Sequence, residues 1–329
     1  MRVLVTGATG FIGGHLVPAL EAAGHDLTLA LRDPESASRL PTAGGARPHR
    51  TVVVGEIDER TDWTDAVNGA EAVVHLAARA HVLDDGATDE ESFMRVNARG
   101  TARLADQSVR VGVRRFLLLS SIGAVTASSA APVTIDTPCA PETPYGRSKL
   151  AAEQAVSERL AGTQTSYTIL RPTLVYGPSN PGNMERLVKL VARGLPLPLG
   201  SIENRRSFTF VKNLVELITT ALSHPHAENA TFLVADGTDL STPELIRRIA
   251  AVTGSATRVL PFPVGLLRAL ANGAGSLSGM TGRSLPLDAA ALSRLESSLY
   301  VDIEPLRATL DWTPPYSVDD GLRCMLNPS

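Results

Sequence analysis

The side chains most able to do chemistry in this sequence are Tyr145 and Lys149, which lie four residues apart in the run Tyr-Gly-Arg-Ser-Lys. With Thr143 as N-cap and Pro144 at the first helical position, both side chains fall on one face of a helix. A phenol has a pKa of about 10, and a neighbouring ammonium is expected to lower that pKa by stabilising the phenolate. The pair can then move a proton to or from an alcohol oxygen while a hydride moves elsewhere. The alternative is a surface helix on which the two residues have no catalytic role.

Two serines come next, at the end of a predicted apolar strand. Ser120 and Ser121 follow Phe116–Leu119, and ligands bind at the carboxyl ends of strands in open α/β sheets. A hydroxyl in this place can hydrogen-bond a reacting oxygen. The alternative, that the serines only end the strand and turn the chain, applies more to Ser120 than to Ser121.

Two further reactive side chains are given lesser roles. His75 ends another predicted strand, just before Leu76-Ala77-Ala78, where small residues leave room for a ribose and phosphates. It has no His, Cys or carboxylate nearby at ligand spacing, so we prefer structural packing to metal binding and predict no metal site. Cys139 precedes Tyr145 without an evident base partner, which disfavours a nucleophile.

A glycine-rich turn near the N-terminus is predicted to hold a diphosphate. The apolar run Val3–Thr6 leads into Gly7, Gly10 and Gly13 and then into a helix-period pattern, which indicates strand, turn and helix. Gly7 permits the turn, Gly10 lets a phosphate approach the backbone, and Gly13 lets the helix pack on the strand. The helix N-terminus attracts the anion. Because the spacing is one residue longer than the usual dinucleotide fingerprint, a turn without a ligand is the alternative.

The residues after the second predicted strand, Asp26–Leu31, bear on the choice of cofactor. At this place an acidic side chain favours a free ribose 2′-hydroxyl, whereas an arginine accommodates a 2′-phosphate. Arg32 follows the strand directly and therefore favours NADP. A shift of one residue in the register would give the ribose contact to Asp33 instead, and NAD would then be favoured.

The alternation of apolar runs and helical patterns predicts the fold class, an α/β protein with a doubly wound parallel sheet. Strands are predicted over residues 3–6, 26–31, 51–54, 72–76, 115–120, 166–171, 207–211 and 231–235, and helices over 214–222 and 241–252. We predict a dinucleotide-binding Rossmann domain over residues 1–178, with returning segments near 207–235. A smaller α/β substrate domain is predicted over 179–206 and 236–329.

Composition argues against several classes of function. The chain has 329 residues, 43% of them hydrophobic and 20% charged, and a formal charge of −3 without a basic stripe for nucleic acid. Its two cysteines, Cys139 and Cys324, are far apart, which argues against a disulfide or zinc framework and fits a cytoplasmic protein. No signal peptide or membrane span is expected, and the apolar stretch 261–282 is interpreted as a surface or interface helix.

Several motifs, in this order, resemble those of the extended short-chain dehydrogenase/reductases that act on nucleotide sugars. They are Gly7/Gly10/Gly13, Tyr145/Lys149, Arg171–Pro178, Arg206–Asn213 and Leu310–Pro315. The resemblance covers essentially the whole chain. It implies NAD or NADP in the N-terminal domain, a UDP- or dTDP-linked sugar on the C-terminal domain, hydride exchange at a sugar carbon, usually C4, and a homodimer.

The resemblance also implies which residues bind the ligands. Asn97 would fix a helix near the active site, and Pro172 would border the nicotinamide. The cofactor set is Gly7, Thr9, Gly10, Phe11, Ile12, Gly13, Arg32, Glu56, Ile57, Leu76, Ala77, Ala78, Asn97, Ser120, Tyr145, Lys149 and Pro172. The substrate set is Ser121, Asn183, Arg205 and Arg206, in which Asn183 and Arg206 would hold the diphosphate. Paired guanidiniums suit a diphosphate, although a solvated basic pair is the alternative for Arg205 and Arg206.

Some positions depart from the family pattern. Ile122 stands where family epimerases usually have a serine or threonine, so Ser121 is interpreted as the catalytic hydroxyl beside Tyr145 and Lys149. Gly123-Ala124 replaces the acidic pair of dehydratases, which disfavours dehydration.

Four functions follow, in order of preference. The chain most resembles bacterial reductases of UDP-4-keto-6-deoxy-amino sugars, in which Tyr145 would protonate the oxygen of a reduced C4 ketone. A UDP-hexose 4-epimerase with tightly bound NAD is the nearest alternative, and a reductase of a steroid-like hydrophobic ketone is the third. A non-enzymatic NADP-binding sensor needs no Tyr-x-x-x-Lys, so the intact motif disfavours it.

Overall fold

A seven-stranded parallel sheet forms the centre of the protein. The computed structural model describes residues 1–41, 49–80, 90–180, 182–269 and 289–326. The sheet has the strand order β3-β2-β1-β4-β5-β6-β9. Its strands are β1 (Arg2–Thr6), β2 (Asp26–Leu31), β3 (Arg50–Val53), β4 (Ala72–His75), β5 (Arg115–Leu119), β6 (Ser166–Pro172) and β9 (Ala230–Val234). The predicted doubly wound parallel sheet is confirmed, and each predicted strand lies within one residue of the observed one.

Helices cover both faces of the sheet, as a sheet with continuous aliphatic strands requires. The named helices are α1 (Phe11–Ala22), α2 (Thr64–Val67), α3 (Glu90–Phe93), α4 (Thr101–Arg110), α5 (Pro144–Leu160), α6 (Asn183–Ala192), α7 (Val211–Ala221), α8 (Thr242–Thr253), α9 (Ala289–Glu296), α10 (Glu304–Leu310) and α11 (Val318–Leu326). Alternate residues of β1 point to opposite faces. Val3 and Val5 join the hydrophobic core built with α1 and α7, whereas Leu4 joins the core built with α4 and α5.

A second, two-stranded parallel sheet pairs β7 (Leu174–Tyr176) with β8 (Phe208–Phe210). The sequence predicted β8 but not β7, because Leu174–Tyr176 follows β6 after a single residue, Thr173. That residue carries the chain out of the main sheet: its hydroxyl bonds the Thr209 hydroxyl at 2.9 Å. A three-residue strand of this kind depends on its distant partner and has no local signal of its own.

The chain returns to the main sheet after this excursion. Strand β9 pairs in parallel with β6 at the edge of the sheet. Helix α8 then begins with a capping box, in which the Ser241 hydroxyl and the Glu244 carboxylate each bond the other's backbone N–H. The prediction of a separate substrate domain over 179–206 and 236–329 stays a prediction.

The apolar stretch 261–282 falls largely outside the described residues. Residues 264–269 are helical, and residues 270–288 belong to the part of the chain that is not described. Among the described helices, none combines the length and apolar character needed to cross a bilayer.

A buried carboxylate, two residues after β9, joins this end of the strand to β7, β8 and α7. Asp236 accepts hydrogen bonds from the Phe210 N–H at 2.8 Å, the Asn213 side chain at 2.8 Å and the Tyr176 hydroxyl at 3.1 Å. Asn213 in turn bonds the backbone of Tyr316 just before α11. Burial raises the pKa of Asp236 to about 6, although its three hydrogen bonds act in the opposite direction.

Replacing Asp236 with Asn should remove a pH dependence of stability. The folded pKa of Asp236 exceeds its unfolded value, so its contribution is fully present below about pH 4 and is lost as pH rises through about 6. An amide keeps the acceptor for Phe210 and Asn213 and can donate to Tyr176. We therefore expect Asp236→Asn to be more stable than wild type by about 1–2 kcal/mol at pH 8. At pH 4.5 the stability of the variant relative to wild type should be lower than at pH 8. Urea unfolding at both pH values measures this; a variant that loses more stability at pH 8 than at pH 4.5 contradicts it.

Candidate active site

The glycine turn between β1 and α1 has the geometry predicted for it. Gly7 has a φ of 73°, and a Cβ built there would lie 2.8 Å from the backbone nitrogen of Ala77. A Cβ on Gly13 would lie 2.2 Å from the carbonyl oxygen of Gly7. Gly7 therefore lets the turn approach β4, and Gly13 lets α1 pack on it.

The open side of this turn suits a phosphate. Gly10 is exposed, and a Cβ built on it would meet only the Gly7 carbonyl oxygen, at 3.3 Å, among the described residues. Within the same residues no side chain caps the N-terminus of α1, and its first turn carries no acidic residue. Uncapped N–H groups at a helix N-terminus bind anions. Thr9 lies in this turn and Phe11 and Ile12 begin α1, so this part of the predicted cofactor set suits a diphosphate, and its contacts with one stay a prediction.

The adenosine end of the predicted cofactor site lies after β2. This strand ends at Leu31, as predicted, so Arg32 is the first residue beyond it. The Arg32 Nε lies 3.3 Å from an Asp33 oxygen and 3.7 Å from a Glu56 oxygen. Asp33 also accepts hydrogen bonds from the Ser36 backbone and hydroxyl as the cap of a short helical turn. Both Arg32 and Asp33 therefore have partners within the protein, and the predicted contact of either with a ribose or a 2′-phosphate stays a prediction.

Helix α5 begins as the sequence predicts. The Thr143 hydroxyl accepts the Gly146 N–H at 3.0 Å, and Pro144 is the first helical residue. A Cβ on Gly146 would lie 2.2 Å from the carbonyl oxygen of Gly123. Glycine at this position therefore lets α5 approach the turn after β5, which carries Ser121.

This approach brings Tyr145 and Ser121 together. Their side chains share a hydrogen bond, and the Phe93 ring packs edge-on to the Tyr145 ring at 6.2 Å between centroids. Burial raises the pKa of the Tyr145 phenol, and the bond with Ser121 opposes this rise. The expectation of a lowered phenol pKa is therefore wrong for this arrangement, because loss of solvent is the largest effect on the phenolate. The phenol is protonated at neutral pH.

Lys149 lies one turn further along α5 and is buried. Its ammonium donates to the Leu119 carbonyl oxygen at 2.6 Å, at the end of β5. Burial lowers the pKa of Lys149 to about 8, whereas the Glu153 carboxylate raises it. The prediction placed Tyr145 and Lys149 on one helix face, and both do lie beside the carboxyl end of β5.

Ser120 belongs to a buried polar network behind the site. Its hydroxyl donates to Glu153, which also forms a bidentate pair with Arg171, at 2.6 Å for the shortest contact. Arg171 further donates to the Cys139 sulfur at 3.5 Å. The Ser120 hydroxyl is thus used within the protein, and its predicted contact with the cofactor stays a prediction.

Asn97 connects the loop after β4 to the catalytic helix. It lies in a π-helical turn, Met94–Gly100, between α3 and α4. Its side chain accepts the Arg79 N–H at 2.7 Å, donates to the Arg79 carbonyl oxygen at 3.0 Å, and donates to the Ser148 hydroxyl at 2.9 Å. Asn97 therefore contacts a helix of the site, as the sequence resemblance implied. Ser148 was missed, because only the fold brings it to Asn97.

The other predicted cofactor residues lie along the same edge of the sheet. Leu76, Ala77 and Ala78 follow β4, and the Leu76 N–H bonds the Thr6 carbonyl oxygen at 3.3 Å. Pro172 ends β6 and is buried. Ile57 packs on Gly100, where a Cβ would lie 2.4 Å from its side chain. Their contacts with a cofactor stay predictions.

The two adjacent arginines predicted to bind substrate have different surroundings. Arg205 is exposed, pairs with Asp239 at 2.9 Å, and stacks on the Tyr300 ring at 4.5 Å. Burial lowers the pKa of the Arg206 guanidinium, and its backbone pairs with Leu240. Removal from water strengthens the attraction of a guanidinium for an anion. Both arginines contact protein groups, since Arg206 donates to the Ser297 hydroxyl at 3.4 Å, and the predicted contact of each with a diphosphate stays a prediction. Asn183 is exposed at the first position of α6.

Comparison with known proteins shows the family of the chain. Residues 3–235 match the family described as the NAD dependent epimerase/dehydratase family. A UDP-glucose 4-epimerase of Vibrio cholerae is 36% identical over 325 residues, 98% of this chain and 93% of that protein. A 3-beta-hydroxysteroid dehydrogenase of Mycolicibacterium neoaurum is 26% identical over 336 residues, 98% of this chain and 89% of that protein.

A solved structure extends the comparison to the whole fold. The structure of MoeE5 in complex with UDP-glucose and NAD has a TM-score of 0.74 and 26% identity, covering 99% of this chain and 97% of that one. The chain therefore belongs to the NAD dependent epimerase/dehydratase family and is an enzyme that uses a nicotinamide cofactor.

Proposed function

We propose that the protein reduces the C4 ketone of a UDP-linked deoxy- or amino-hexose, with Tyr145 as the general acid. The observation that carries the role of Tyr145 is its place beside Ser121 and one turn of α5 from the buried Lys149, which donates to the end of β5. The pKa of Tyr145 is raised and the phenol is bonded to Ser121, so at neutral pH it holds the proton that a new alkoxide needs. The direction is proposed from the resemblance of the motifs to 4-keto sugar reductases, since the same residue acts as the base when the reaction runs towards oxidation.

The protein groups divide the work as follows. The Ser121 and Tyr145 hydroxyls bind the ketone oxygen and orient it. The nicotinamide cofactor, when bound, supplies the hydride that reduces the carbonyl carbon. Tyr145 gives its proton to the oxygen, so a ketone, a hydride and a proton yield one alcohol. The buried Lys149 ammonium stabilises negative charge that develops on the phenol oxygen.

Support for a nucleotide-sugar substrate comes from Arg206 and from relatives. Burial makes the Arg206 guanidinium a strong partner for a diphosphate, and Asn183 at the start of α6 is a second candidate contact. MoeE5 is described in complex with UDP-glucose, and its likeness covers nearly the whole of this chain. We infer that the same face of this protein binds UDP or dTDP.

The cofactor is proposed to be NADP, because Arg32 follows β2 and Asp33 is engaged with Ser36. The likeness to MoeE5, described with NAD, favours NAD instead. A homodimer and a cytoplasmic location stay predictions, and light scattering on the purified protein tests the dimer.

A UDP-hexose 4-epimerase is the second candidate, favoured by the name of the Vibrio cholerae relative. An epimerase returns the hydride to the other face of the same sugar and consumes no cofactor. A steroid-like ketone is a third candidate, since one relative is named a 3-beta-hydroxysteroid dehydrogenase.

One assay separates these functions. Purified protein is mixed with a UDP-4-keto-6-deoxy-hexose or its 2-acetamido analogue and with NADPH or NADH, and nicotinamide absorbance is followed. We expect one NADPH oxidised for each ketone reduced. Conversion of UDP-glucose to UDP-galactose without consumption of cofactor would show that the protein is an epimerase and not a reductase. Failure of UDP and dTDP to raise the melting temperature would point to the hydrophobic ketone.

A further inference from the structure

We propose that His75 is a positioning residue, which joins the nucleotide-binding turn to the catalytic helix through one chain of hydrogen bonds with a fixed direction. The proposal rests on the proposed function for its turnover measurement, but its other two measurements do not need a substrate.

The chain of hydrogen bonds crosses the site beneath the glycine turn. The Ala77 N–H donates to the Thr6 hydroxyl at 3.1 Å, and that hydroxyl lies 2.7 Å from His75 Nδ1. His75 Nε2 lies 2.9 Å from the Thr101 hydroxyl, which donates to the Asn97 carbonyl oxygen at 2.6 Å. Thr6, His75, Thr101 and Asn97 are each only 1% exposed, so water does not compete for these bonds.

The direction of the chain follows from its last bond. A carbonyl oxygen only accepts, so the Thr101 proton lies on the Asn97 side, and the Thr101 oxygen must accept from His75 Nε2–H. Burial, aided by the nearby Lys149 ammonium, lowers the pKa of His75 to about 3, so the ring carries a single proton. His75 Nδ1 is then bare and accepts from the Thr6 hydroxyl. Every donor in the chain has one acceptor, and the tautomer of His75 is fixed.

Each end of this chain holds one half of the site. At one end, Ala77 is the residue against which Gly7 packs, with 2.8 Å between a Gly7 Cβ position and the Ala77 nitrogen. At the other end, Asn97 holds Ser148 of α5 at 2.9 Å. His75 is the central member of the chain and touches both threonines. Since hydride transfer demands accurate placement of the cofactor relative to Tyr145, a rigid connection between these halves affects chemistry as well as stability.

Four variants break the chain on one side at a time. In His75→Asn the amide oxygen replaces Nδ1 as the acceptor for Thr6, and the contact with Thr101 is lost. In His75→Gln the amide nitrogen replaces Nε2 as the donor to Thr101, and the contact with Thr6 is lost. Thr101→Val removes the contact between His75 and Thr101, and is the matched control for His75→Asn. Thr6→Val removes the contact between His75 and Thr6, and is the matched control for His75→Gln.

The experiment tests the nucleotide-binding turn and the catalytic helix separately, in the protein without substrate. Cofactor affinity is measured by titration with NADPH and NADH, and the rigidity of α5 by hydrogen exchange of a peptide covering residues 144–152. We expect His75→Gln and Thr6→Val to weaken cofactor binding about tenfold, with nearly normal exchange in α5. We expect His75→Asn and Thr101→Val to exchange in α5 about tenfold faster, with cofactor affinity within about twofold of wild type.

Turnover adds a third measurement. His75→Asn and Thr101→Val are expected to lower kcat about tenfold with little change in the cofactor KM, whereas the other pair raises that KM. The proposal is overturned if all four variants change cofactor affinity and hydrogen exchange in α5 to the same degree. It is overturned equally if they lower only the melting temperature, with normal affinity and exchange. If wild-type protein reduces no 4-keto sugar, the proposed function fails, and affinity and exchange still decide the role of His75.

Discussion

Replacing Tyr145 with Phe is expected to lower kcat by about a thousandfold or more, while cofactor affinity changes by less than about threefold. Phenylalanine keeps the ring that packs edge-on to Phe93, so the fold of α5 should be preserved. It removes the hydroxyl that bonds Ser121 and that supplies the proton in the proposed reaction. Turnover is measured by nicotinamide absorbance and cofactor affinity by titration.

A second tyrosine provides the control. Tyr167 is the second residue of β6, at the opposite end of the sheet from the site, and Tyr167→Phe should retain wild-type kcat. Ser121→Ala should fall between the two, because it removes one of the two hydroxyls proposed to bind the ketone oxygen. Normal turnover in Tyr145→Phe would end the assignment of Tyr145 as the acid.

Adding one methyl group at Gly13 is expected to damage both folding and cofactor binding. A Cβ there would lie 2.2 Å from the Gly7 carbonyl oxygen and 2.7 Å from the Cα of Ala8, and both atoms are backbone. Helix α1 must therefore move away from β1, which deforms the glycine turn. We expect Gly13→Ala to lower the free energy of unfolding by about 2–4 kcal/mol, and to weaken cofactor binding by about a hundredfold or more.

The neighbouring glycine is a matched control, since it lies in the same helix. No heavy atom among the described residues lies within 4 Å of a Cβ built on Gly14. Alanine there should leave the unfolding free energy unchanged or raise it by up to about 1 kcal/mol, because alanine favours helix over glycine. Urea unfolding and cofactor titration compare the two variants. Equal losses in both would show that contact with the Gly7 carbonyl is not the cause.

Much of the frame of the site was predictable because its signals are local. The end of β2 at Leu31 and the start of α5 at Pro144 were both predicted to the residue, from an aliphatic run and from a cap followed by proline. Arg32 and Tyr145 are placed by these two boundaries. Local propensity and capping therefore fixed where the reactive residues lie along the chain.

The remaining features depend on contacts between distant segments. His75 was interpreted as packing, but the parallel register that pairs it with Thr6 makes it a partner of two hydroxyls. The raised pKa of Tyr145 could not be predicted from the sequence either. The four-residue spacing gives the position of Lys149 but not the loss of water around the phenol. The π-helical turn at Met94–Gly100 has no periodic signal of its own. Burial and register are properties of the assembled sheet, and no single segment encodes them.

The late return of β9 to the sheet has a consequence for biosynthesis. Strand β6 ends at Pro172, and its edge partner β9 begins only at Ala230. A ribosome adds about 5–20 residues each second, so β6 stays unpaired on that side for about 3–12 s after it is made. An uncovered strand edge invites pairing with other chains. The nascent protein therefore passes through an interval of exposure to aggregation that ends when residues 230–234 leave the ribosome.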